Sequence, residues 1–582
     1  MVKDKGNTEG LQMKRNHQKN LLWMILILIV VNWLGSMYYT RIDLTADKRF
    51  TLSKATKNIL DNLHHEVYFK VYLDGDFPAG FKRLERQTRE MLEEFRARNH
   101  DVHFIFINPS GSSDPKKRSE LYQELVSDGL NPTNLQVKTK EGLQQQYIFP
   151  GAIVNYQDKA VVAGLLESQV DVPPEEVLNH SAENLEFTLV NTILKLVERK
   201  KPNIAFLKGQ GELEGNQIAD IKNTLSSDYD LSDVTLGNPG DNDLLEKTDD
   251  SIHPKYNVLI VAKPSEPFTH NNKLALDQYV MYGGKVLWLI DPVLASMDSI
   301  RNSESTVSID LHLGLQELLF NYGVRLNKNL VLDMNATSIA VKTGEMGNQP
   351  QISLLPWYYF PLITPTSKNP IVKNLNSVQM QFVSTLDTLG IKGVKKTILL
   401  KTSPYVGIES IPGIISLNIL KQKPDPYFFH GPAQAVAVLL DGVFSSDFQN
   451  MLVPSLKNGK FPFKELSRLT SMIVISDGDV IKNQLQIPNG APLPLGYDQY
   501  SGITYGNKQL ILNALTYLTE GPELLSLRSR EVKLRLLDKT KINQDKLKWQ
   551  LFNVFVPLII LALMVAIFSI VRKKKYGRSK ST

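Results

Sequence analysis

Residues 551–571, LFNVFVPLIILALMVAIFSIV, form an uncharged stretch that is followed directly by Arg572, Lys573, Lys574 and Lys575. About 20 apolar residues are enough to cross the hydrocarbon core of a bilayer as one helix. A basic flank marks the cytoplasmic end of such a helix. The sequence therefore predicts a C-terminal transmembrane helix, a short cytoplasmic tail, and a body that lies across the membrane.

A second uncharged stretch covers residues 21–39, with aromatic residues near both ends as in an interfacial belt. The alternative is a cleaved signal peptide. However, this run is longer than the usual signal-peptide core, and no A-x-A-like cleavage site precedes Arg41. We therefore predict a first transmembrane helix here, with both termini of the chain in the cytoplasm.

The net charge of +6 is concentrated in the two tails of the chain. Residues 1–20 contribute +3 and residues 572–582 contribute +6, which leaves −3 for residues 40–550. This distribution follows the positive-inside rule. It gives the body no basic footprint, so we expect no nucleic-acid partner.

Residues 40–200 are predicted to form a first α/β domain. A helix from about Lys54 precedes a strand at 66–73, a helix at 81–98 and a strand at 102–108. Strand, crossover helix and strand in this order indicate a parallel pair. A further helix and a strand pair complete a thioredoxin-like order. The chain has no cysteine, so a C-x-x-C redox site is excluded and a binding or spacer role remains.

A second α/β domain is predicted from residues 201–333 and completed by residues 464–520. Its segments NIAFL, NVLIVAK, KVLWLID and MIVIS are apolar throughout, as expected of strands in a doubly wound, Rossmann-like parallel sheet that is covered on both faces. Residues 334–463 are predicted to be a β-rich insertion or lobe. Residues 521–550 are predicted to be a charged stalk that leads to the membrane.

Three turns that follow buried strands are candidate ligand-binding positions, because α/β sheets bind ligands at the carboxyl ends of their strands. The first contains Gly209, Gly211 and Glu212 and does not match the G-x-G-x-x-G spacing, which favours a tight turn over nucleotide binding. A second strand ends at Asp291. The third turn contains Asp477 and Asp479, for which capping competes with binding of a hard cation.

Other catalytic patterns are missing from the sequence. It contains no H-E-x-x-H, G-x-S-x-G or Walker A motif, and the absence of cysteine excludes thiolate metal sites and cysteine nucleophiles. We therefore expect no cofactor and no metal. The pair Gly283-Gly284 is interpreted as a helix stop.

Two further groups are candidate partner surfaces. Trp357 and Tyr358 belong to the segment PWYYFP, for which core packing is favoured over an exposed docking surface. Asn553 and Pro557 lie within the C-terminal apolar stretch, where a helix that faces only lipid needs neither residue. We expect them to contact a helix of a membrane-embedded partner.

Long motifs along the chain resemble the GldG family, the gliding-motility auxiliary subunits of ABC transporters in Bacteroidetes. The motifs are RIDLTADKRFTLS, VYLDGDFPAGFKRL, FINP, LDQYVMYGGKVLWLID, LLPWYYFPL, VAVLLDGVFSSDF, VISDGD and LRSREVKLRLLDK. The family commonly has GHGE where this chain has GQGE, with Gln210 in the position of the histidine. The second domain is also similar to class I glutamine amidotransferases, whose cysteine nucleophile this chain lacks.

The resemblance implies an inner-membrane protein with a periplasmic body that works with a separate permease and a separate ATPase, in gliding motility and protein secretion. Our leading hypothesis is thus a non-enzymatic subunit that binds a permease, membrane lipid, and a protein or envelope ligand. The competing hypothesis is a periplasmic receptor or hydrolase in which Glu212, Asp291, Asp477 and Asp479 meet in one cleft. A third is a spacer that transmits conformational change from the permease.

Overall fold

The computed structural model describes most of the chain: residues 21, 23–33, 51–139, 142–166, 174–197, 201–237, 243–248, 251–303, 305–346, 349–449, 461–528 and 539–576. The chain divides into two compact units, Met1–Glu531 and Val532–Thr582.

The elements up to residue 197 include the four strands of a first sheet. They are α1 (Trp23–Trp33), α2 (Lys54–Asp61), β1 (Val67–Val71), α3 (Ala79–Arg98), β2 (Val102–Phe106), α4 (Pro115–Ser127), β3 (Thr133–Thr139), β4 (Gly142–Ile148), β5 (Gly151–Tyr156), β6 (Lys159–Gly164), α5 (Pro174–Glu183) and α6 (Leu185–Val197).

The next elements include the first strands of the central sheet. They are β7 (Asn203–Lys208), α7 (Ala219–Ser226), β8 (Asp230–Thr235), β9 (Leu245–Thr248), β10 (Ser251–Pro254), β11 (Val258–Ala262), α8 (His270–Met281), β12 (Lys285–Leu289), β13 (Val293–Leu294), α9 (Met297–Ser303), β14 (Ser305–Asp310), α10 (Gln316–Tyr322), β15 (Val324–Leu326) and β16 (Asn329–Asp333).

The remaining elements complete that sheet and lead to the C-terminal helix. They are β17 (Ala336–Met346), β18 (Gln349–Ile363), β19 (Val378–Gln379), β20 (Leu386–Thr388), β21 (Val394–Lys401), β22 (Val406–Ser410), β23 (Gly413–Ser416), β24 (Ala435–Gly442), β25 (Thr470–Ile475), α11 (Asn507–Glu520), α12 (Pro522–Arg528) and α13 (Lys539–Tyr576).

The first sheet has the strand order β2-β1-β5-β6. β1 and β2 run parallel through the crossover helix α3, whereas β5 is antiparallel to both β1 and β6. The predicted parallel pair and the predicted strand pair are therefore confirmed. The hairpin β3–β4 was not expected, because its polar residues give a weak strand signal.

The central sheet has seven strands in the order β21-β24-β25-β12-β11-β7-β8. The five strands from β25 to β8 are parallel to one another. One face packs against α7 and α11 through residues such as Ile260 and Ile473. The other face packs against α8 and α10 through residues such as Leu259 and Trp288. Burial on both faces explains why these strands are apolar throughout.

Part of the segment predicted as a β-rich lobe lies in this central sheet. β21 and β24 extend the sheet beyond β25 as antiparallel strands. The other strands of the segment form smaller antiparallel sheets, including β17-β18-β19. The strand signals were visible in the sequence, but partners so far apart in the chain were not.

The aromatic segment PWYYFP belongs to β18, in the small sheet β17-β18-β19. Trp357, Tyr358, Tyr359 and Phe360 are buried in a cluster that also contains Phe382. Trp357 and Tyr358 therefore present no surface to a partner, and the docking alternative does not apply to them.

α13 is the described helix that is long and apolar enough to cross a membrane, over residues Asp545–Lys574. It begins at Lys539 rather than near residue 551, so the helix includes part of the predicted stalk. The structure does not confirm the first predicted transmembrane helix: α1 is a shorter apolar helix, and residues 34–39 of that prediction lie outside the described residues.

Candidate functional site

Three neighbouring parallel strands end next to charged residues at the same edge of the central sheet. Lys263 directly follows β11, Asp291 follows β12 by two residues, and Asp477 and Asp479 follow β25. Because these strands are parallel and adjacent, their carboxyl ends bring the four side chains together. We call Lys263, Asp291, Asp477 and Asp479 the Lys263 cluster.

The Lys263 ammonium lies between two carboxylates of this cluster. Its Nζ is 3.1 Å from Oδ2 of Asp291 and donates a shorter hydrogen bond to Oδ2 of Asp479. All three carboxylates are buried, and Asp477 has no exposed surface. A cation inside the protein thus takes the place that a metal ion would need between the acids.

Backbone N–H groups also donate to the carboxylates of Asp291 and Asp477. The Gly478 N–H donates to Oδ1 of Asp291 at 2.5 Å. Asp477 accepts from the Asp479 N–H at 2.7 Å and from the Gln381 N–H at 2.8 Å. The turn expected at Asp477 and Asp479 is therefore present, and it also ties the loop after β19 to the cluster.

Gly478 allows the loop after β25 to approach Lys263. A Cβ atom at position 478 would lie 2.5 Å from Cβ of Lys263, which is far inside the van der Waals distance. Lys263 itself has a positive φ of 53°, an uncommon conformation for a residue with a side chain. The close packing of these two loops depends on glycine at position 478.

Burial and neighbouring charges set the protonation of the cluster. Burial works against the charge of Lys263, but the attraction of Asp291 and Asp479 outweighs it and raises the pKa of the lysine. Burial, reinforced by the charges of Asp291 and Asp479, raises the pKa of Asp477 well above its usual value. These contacts favour the charged form of Lys263 and the protonated form of Asp477, and burial also raises the pKa of Asp291.

The glycine turn after β7 forms a separate arrangement at the same edge. Gly209 and Gly211 have positive φ angles of 104° and 69°, so a tight turn is confirmed. Oε2 of Glu212 accepts from the Gln210 N–H at 2.8 Å, and burial raises the pKa of Glu212. Oε1 of Glu212 has no hydrogen-bond partner among the described residues. The structure brings Asp291, Asp477 and Asp479 together, while Glu212 has different contacts.

Lys263 is the cluster residue that sequence reasoning missed. The signal was available, because this lysine directly follows the uncharged strand segment NVLIVA and three acids follow neighbouring strands of the predicted sheet. A cation among buried acids is the usual way to compensate their charge.

A cleft of about 620 Å³ lies beside the cluster. Lys263, Asp479 and Lys482 form part of its wall, and β17 and the loop at residues 482–500 form other parts. Asn483 and Gln484 also line it. Among the described residues, no group of three or more His, Cys, Asp or Glu side chains is placed to hold a metal ion.

Asn553 and Pro557 lie within α13, and both side chains are exposed in the described unit. Pro557 stands inside the helix, where it cannot donate a backbone hydrogen bond.

Replacing Lys263 by methionine should lower the free energy of unfolding by about 3–5 kcal/mol, because Asp291 and Asp479 would stay buried without their counter-ion. Denaturant unfolding of the full chain in detergent measures this loss. The exposed Lys247→Met is the matched control and should change stability by less than about 0.5 kcal/mol. Equal stability of K263M and the parent chain would show that the ion pairs contribute nothing.

Asp477 should make the stability of the chain depend on pH. Its pKa is raised in the folded chain, so the folded state binds this proton more tightly, and the free energy of unfolding falls as pH rises above about 4. Asp477→Asn should make this fall shallower by up to about 1.4 kcal/mol per pH unit. Unfolding series between pH 4 and pH 8 measure the slope, and the exposed Asp158→Asn should leave it unchanged.

Comparisons with known proteins identify the larger part of the body. The ABC transporter auxiliary family, described as an ABC-type uncharacterized transport system, matches residues 201–514. A domain of unknown function, DUF7088, matches residues 46–155. An uncharacterized protein of Borreliella burgdorferi is 21% identical over 574 residues, which is 96% of this chain and 98% of the relative.

Likenesses to solved structures are weak. The mmIFT52 N-terminal domain has a TM-score of 0.30 at 13% identity and covers 55% of this chain and 98% of its own. The exo-β-1,4-mannosidase Op5Man5 from Opitutaceae bacterium strain TAV5 has a TM-score of 0.18 at 10% identity and covers 69% and 46%. At these TM-scores, neither likeness supports a statement about fold or function.

The family match spans more than half of the chain and includes the strands β7, β11, β12 and β25 together with the whole Lys263 cluster. It does not single out the gliding-motility branch that the sequence motifs resemble. The chain belongs to the ABC transporter auxiliary family, the ABC-type uncharacterized transport system.

Proposed function

We propose that this chain is a non-enzymatic, membrane-anchored subunit of an ABC transport system that works with a separate permease and a separate ATPase. The family match over residues 201–514 is the observation that carries this proposal. α13 supplies the anchor. The chain has no Walker A motif, so the energy for transport comes from a partner protein.

The chemistry of the Lys263 cluster supports a structural role for its acids. A general acid or base needs an ionisable group within reach of a substrate proton. Here Asp291 and Asp479 neutralise Lys263, and Asp477 accepts two backbone hydrogen bonds without any exposed surface. These groups stabilise the sheet edge and leave no free acid–base pair, which argues against a hydrolase.

The basic flank of α13 supports one orientation. Arg572 and the three lysines after it favour the cytoplasm, so the body lies on the opposite side, which is the periplasm of a bacterium. Residues 21–39 are proposed to cross the membrane as a second anchor. In the narrower form of this proposal, the system is the gliding-motility transporter of the GldG family, and it also serves protein secretion.

The cleft beside the Lys263 cluster favours a second candidate function, that of a periplasmic ligand-binding receptor. A volume of about 620 Å³ falls within the range of small-molecule sites, and its wall combines apolar, amide and charged side chains. In this alternative the chain delivers a ligand to the permease.

Copurification tests the leading proposal. The full chain, extracted in mild detergent from its own cells with an affinity tag, should bring down a permease and an ATPase in fixed ratio. A second tagged single-span membrane protein from the same cells controls for nonspecific capture. If the chain runs alone in several detergents, the proposal fails.

Asn553→Leu should weaken this association, because it removes a polar side chain that can hydrogen-bond across a helix interface in the membrane. Such hydrogen bonds contribute about 0.6–2 kcal/mol, so permease recovery should fall about three- to thirtyfold. Permease recovered per mole of chain, measured by quantitative blotting, reports this change. Leu561→Met alters an apolar residue of the same helix and is the control. Unchanged recovery with N553L would make α13 a plain lipid anchor.

A further inference from the structure

β17 is an edge strand that forms part of the cleft lining. The small sheet has the order β17-β18-β19, so β17 pairs with β18 on one side alone. Five consecutive residues of β17, from Ser338 to Lys342, line the cleft. Successive side chains of a strand point to opposite faces, so a surface that includes all five contains the strand edge itself.

The backbone of this stretch offers hydrogen-bonding groups without partners. Ser338 to Lys342 pair regularly with Pro356 to Ile352, and register shifts bound the stretch at both ends. Within the described part of the chain, no further backbone hydrogen bond reaches these five residues. Pro356 pairs with Ser338 and has no N–H to donate. In an antiparallel ladder, the N–H and C=O groups of alternate residues point away from the partner strand. We therefore assign this outward orientation to Ser338, Ala340 and Lys342.

The side chains next to this edge are partly apolar. Ala340 lies opposite Leu354 and Lys342 lies opposite Ile352 in the hairpin. Leu354 and Ile352 are 46% and 64% exposed. Ile339, Val341 and Phe360 supply apolar side chains to the cleft itself. Side chains of one added strand alternate between two faces, so a partner with alternating apolar residues can place one set against these residues.

The loop at residues 482–500 supplies further side chains to the cleft. It includes Lys482, Gln484 and Gln499, and Tyr500 is 43% exposed at the same cleft. The side chains of Gln484 and Gln499 bond to each other at 3.3 Å, which holds this loop in place. Five residues of strand extend about 16 Å. The lining of the cleft therefore combines the edge strand β17 with polar side chains of the loop at residues 482–500.

We propose that an extended peptide segment of a partner protein binds in this cleft by adding a strand to β17 at Ser338 to Lys342. The N–H and C=O groups along a free strand edge have the same regular spacing as those of a second strand, so they can pair with an extended peptide. The polar groups of a saccharide or a small metabolite do not have this spacing. This inference deepens the proposed function, on which it rests, by naming the partner class: a protein with an extended segment of alternating apolar residues.

Tethering tests the proposal on the full chain in detergent. The chain has no cysteine, so Tyr500→Cys introduces a unique thiol at the cleft. The probe is a synthetic peptide with a terminal cysteine, a glycine–serine linker and five residues of alternating valine and threonine, joined through a disulfide. A short flexible tether gives a millimolar effective concentration, so weak binding is detectable.

Hydrogen exchange followed by mass spectrometry is the readout. The tethered peptide should slow exchange in the fragment that contains residues 338–342 at least tenfold. A matched peptide with N-methylated valines keeps its side chains but loses main-chain donors, so it should give no protection. The same peptide tethered to Asp158→Cys, in the turn between β5 and β6, should also leave β17 unprotected.

A variant of the chain provides a second test. Ala340→Pro removes one N–H from the free edge and should abolish protection by the tethered peptide. Equal protection by the normal and the N-methylated peptides, or none by either, would overturn the proposal. So would protection by maltotriose without protection by peptide. The assay contains no permease or ATPase, so its failure leaves the copurification result unaffected.

Discussion

The ammonium group of Lys263, buried between Asp291 and Asp479, is the interaction on which the carboxyl edge of the central sheet depends. Three acids follow neighbouring strands, and without a cation their burial would be strongly unfavourable. The same contacts connect the loops after β11, β12 and β25. The N–H of Gln381, in the loop after β19, donates to Asp477. Gln381 also lines the cleft, so this part of the cleft wall is hydrogen-bonded to the ion-pair cluster.

The carboxyl edge of the central sheet lies near the smaller antiparallel sheet that contains β17 and β18. The parallel strands of the central sheet are buried by helices on both faces, and the Lys263 cluster lies with its cleft at their carboxyl ends. The antiparallel β17–β18 hairpin then stands beside that edge and closes one side of the cleft. The family match over residues 201–514 covers both parts, so the cleft lies within the matched portion of the chain.

The membrane helix and the body contribute different parts of the proposed function. α13 is long and apolar enough to span a bilayer, and its basic flank supports the orientation that we propose. The body has no Walker A motif and neutralises its buried acids internally. In our proposal the subunit acts through binding, and the cleft and the free edge of β17 are the surfaces that we propose for it.

The sequence by itself determined the α/β class, the helices and strands of the first sheet, the apolar strands of the central sheet and the spanning length of α13, because these features depend on local periodicity and composition. The tertiary structure alone decided that β21 and β24 join the central sheet. It also decided that Lys263 meets Asp291 and Asp479, and that Glu212 has different contacts. These outcomes depend on contacts between residues far apart in the chain, which no local pattern specifies.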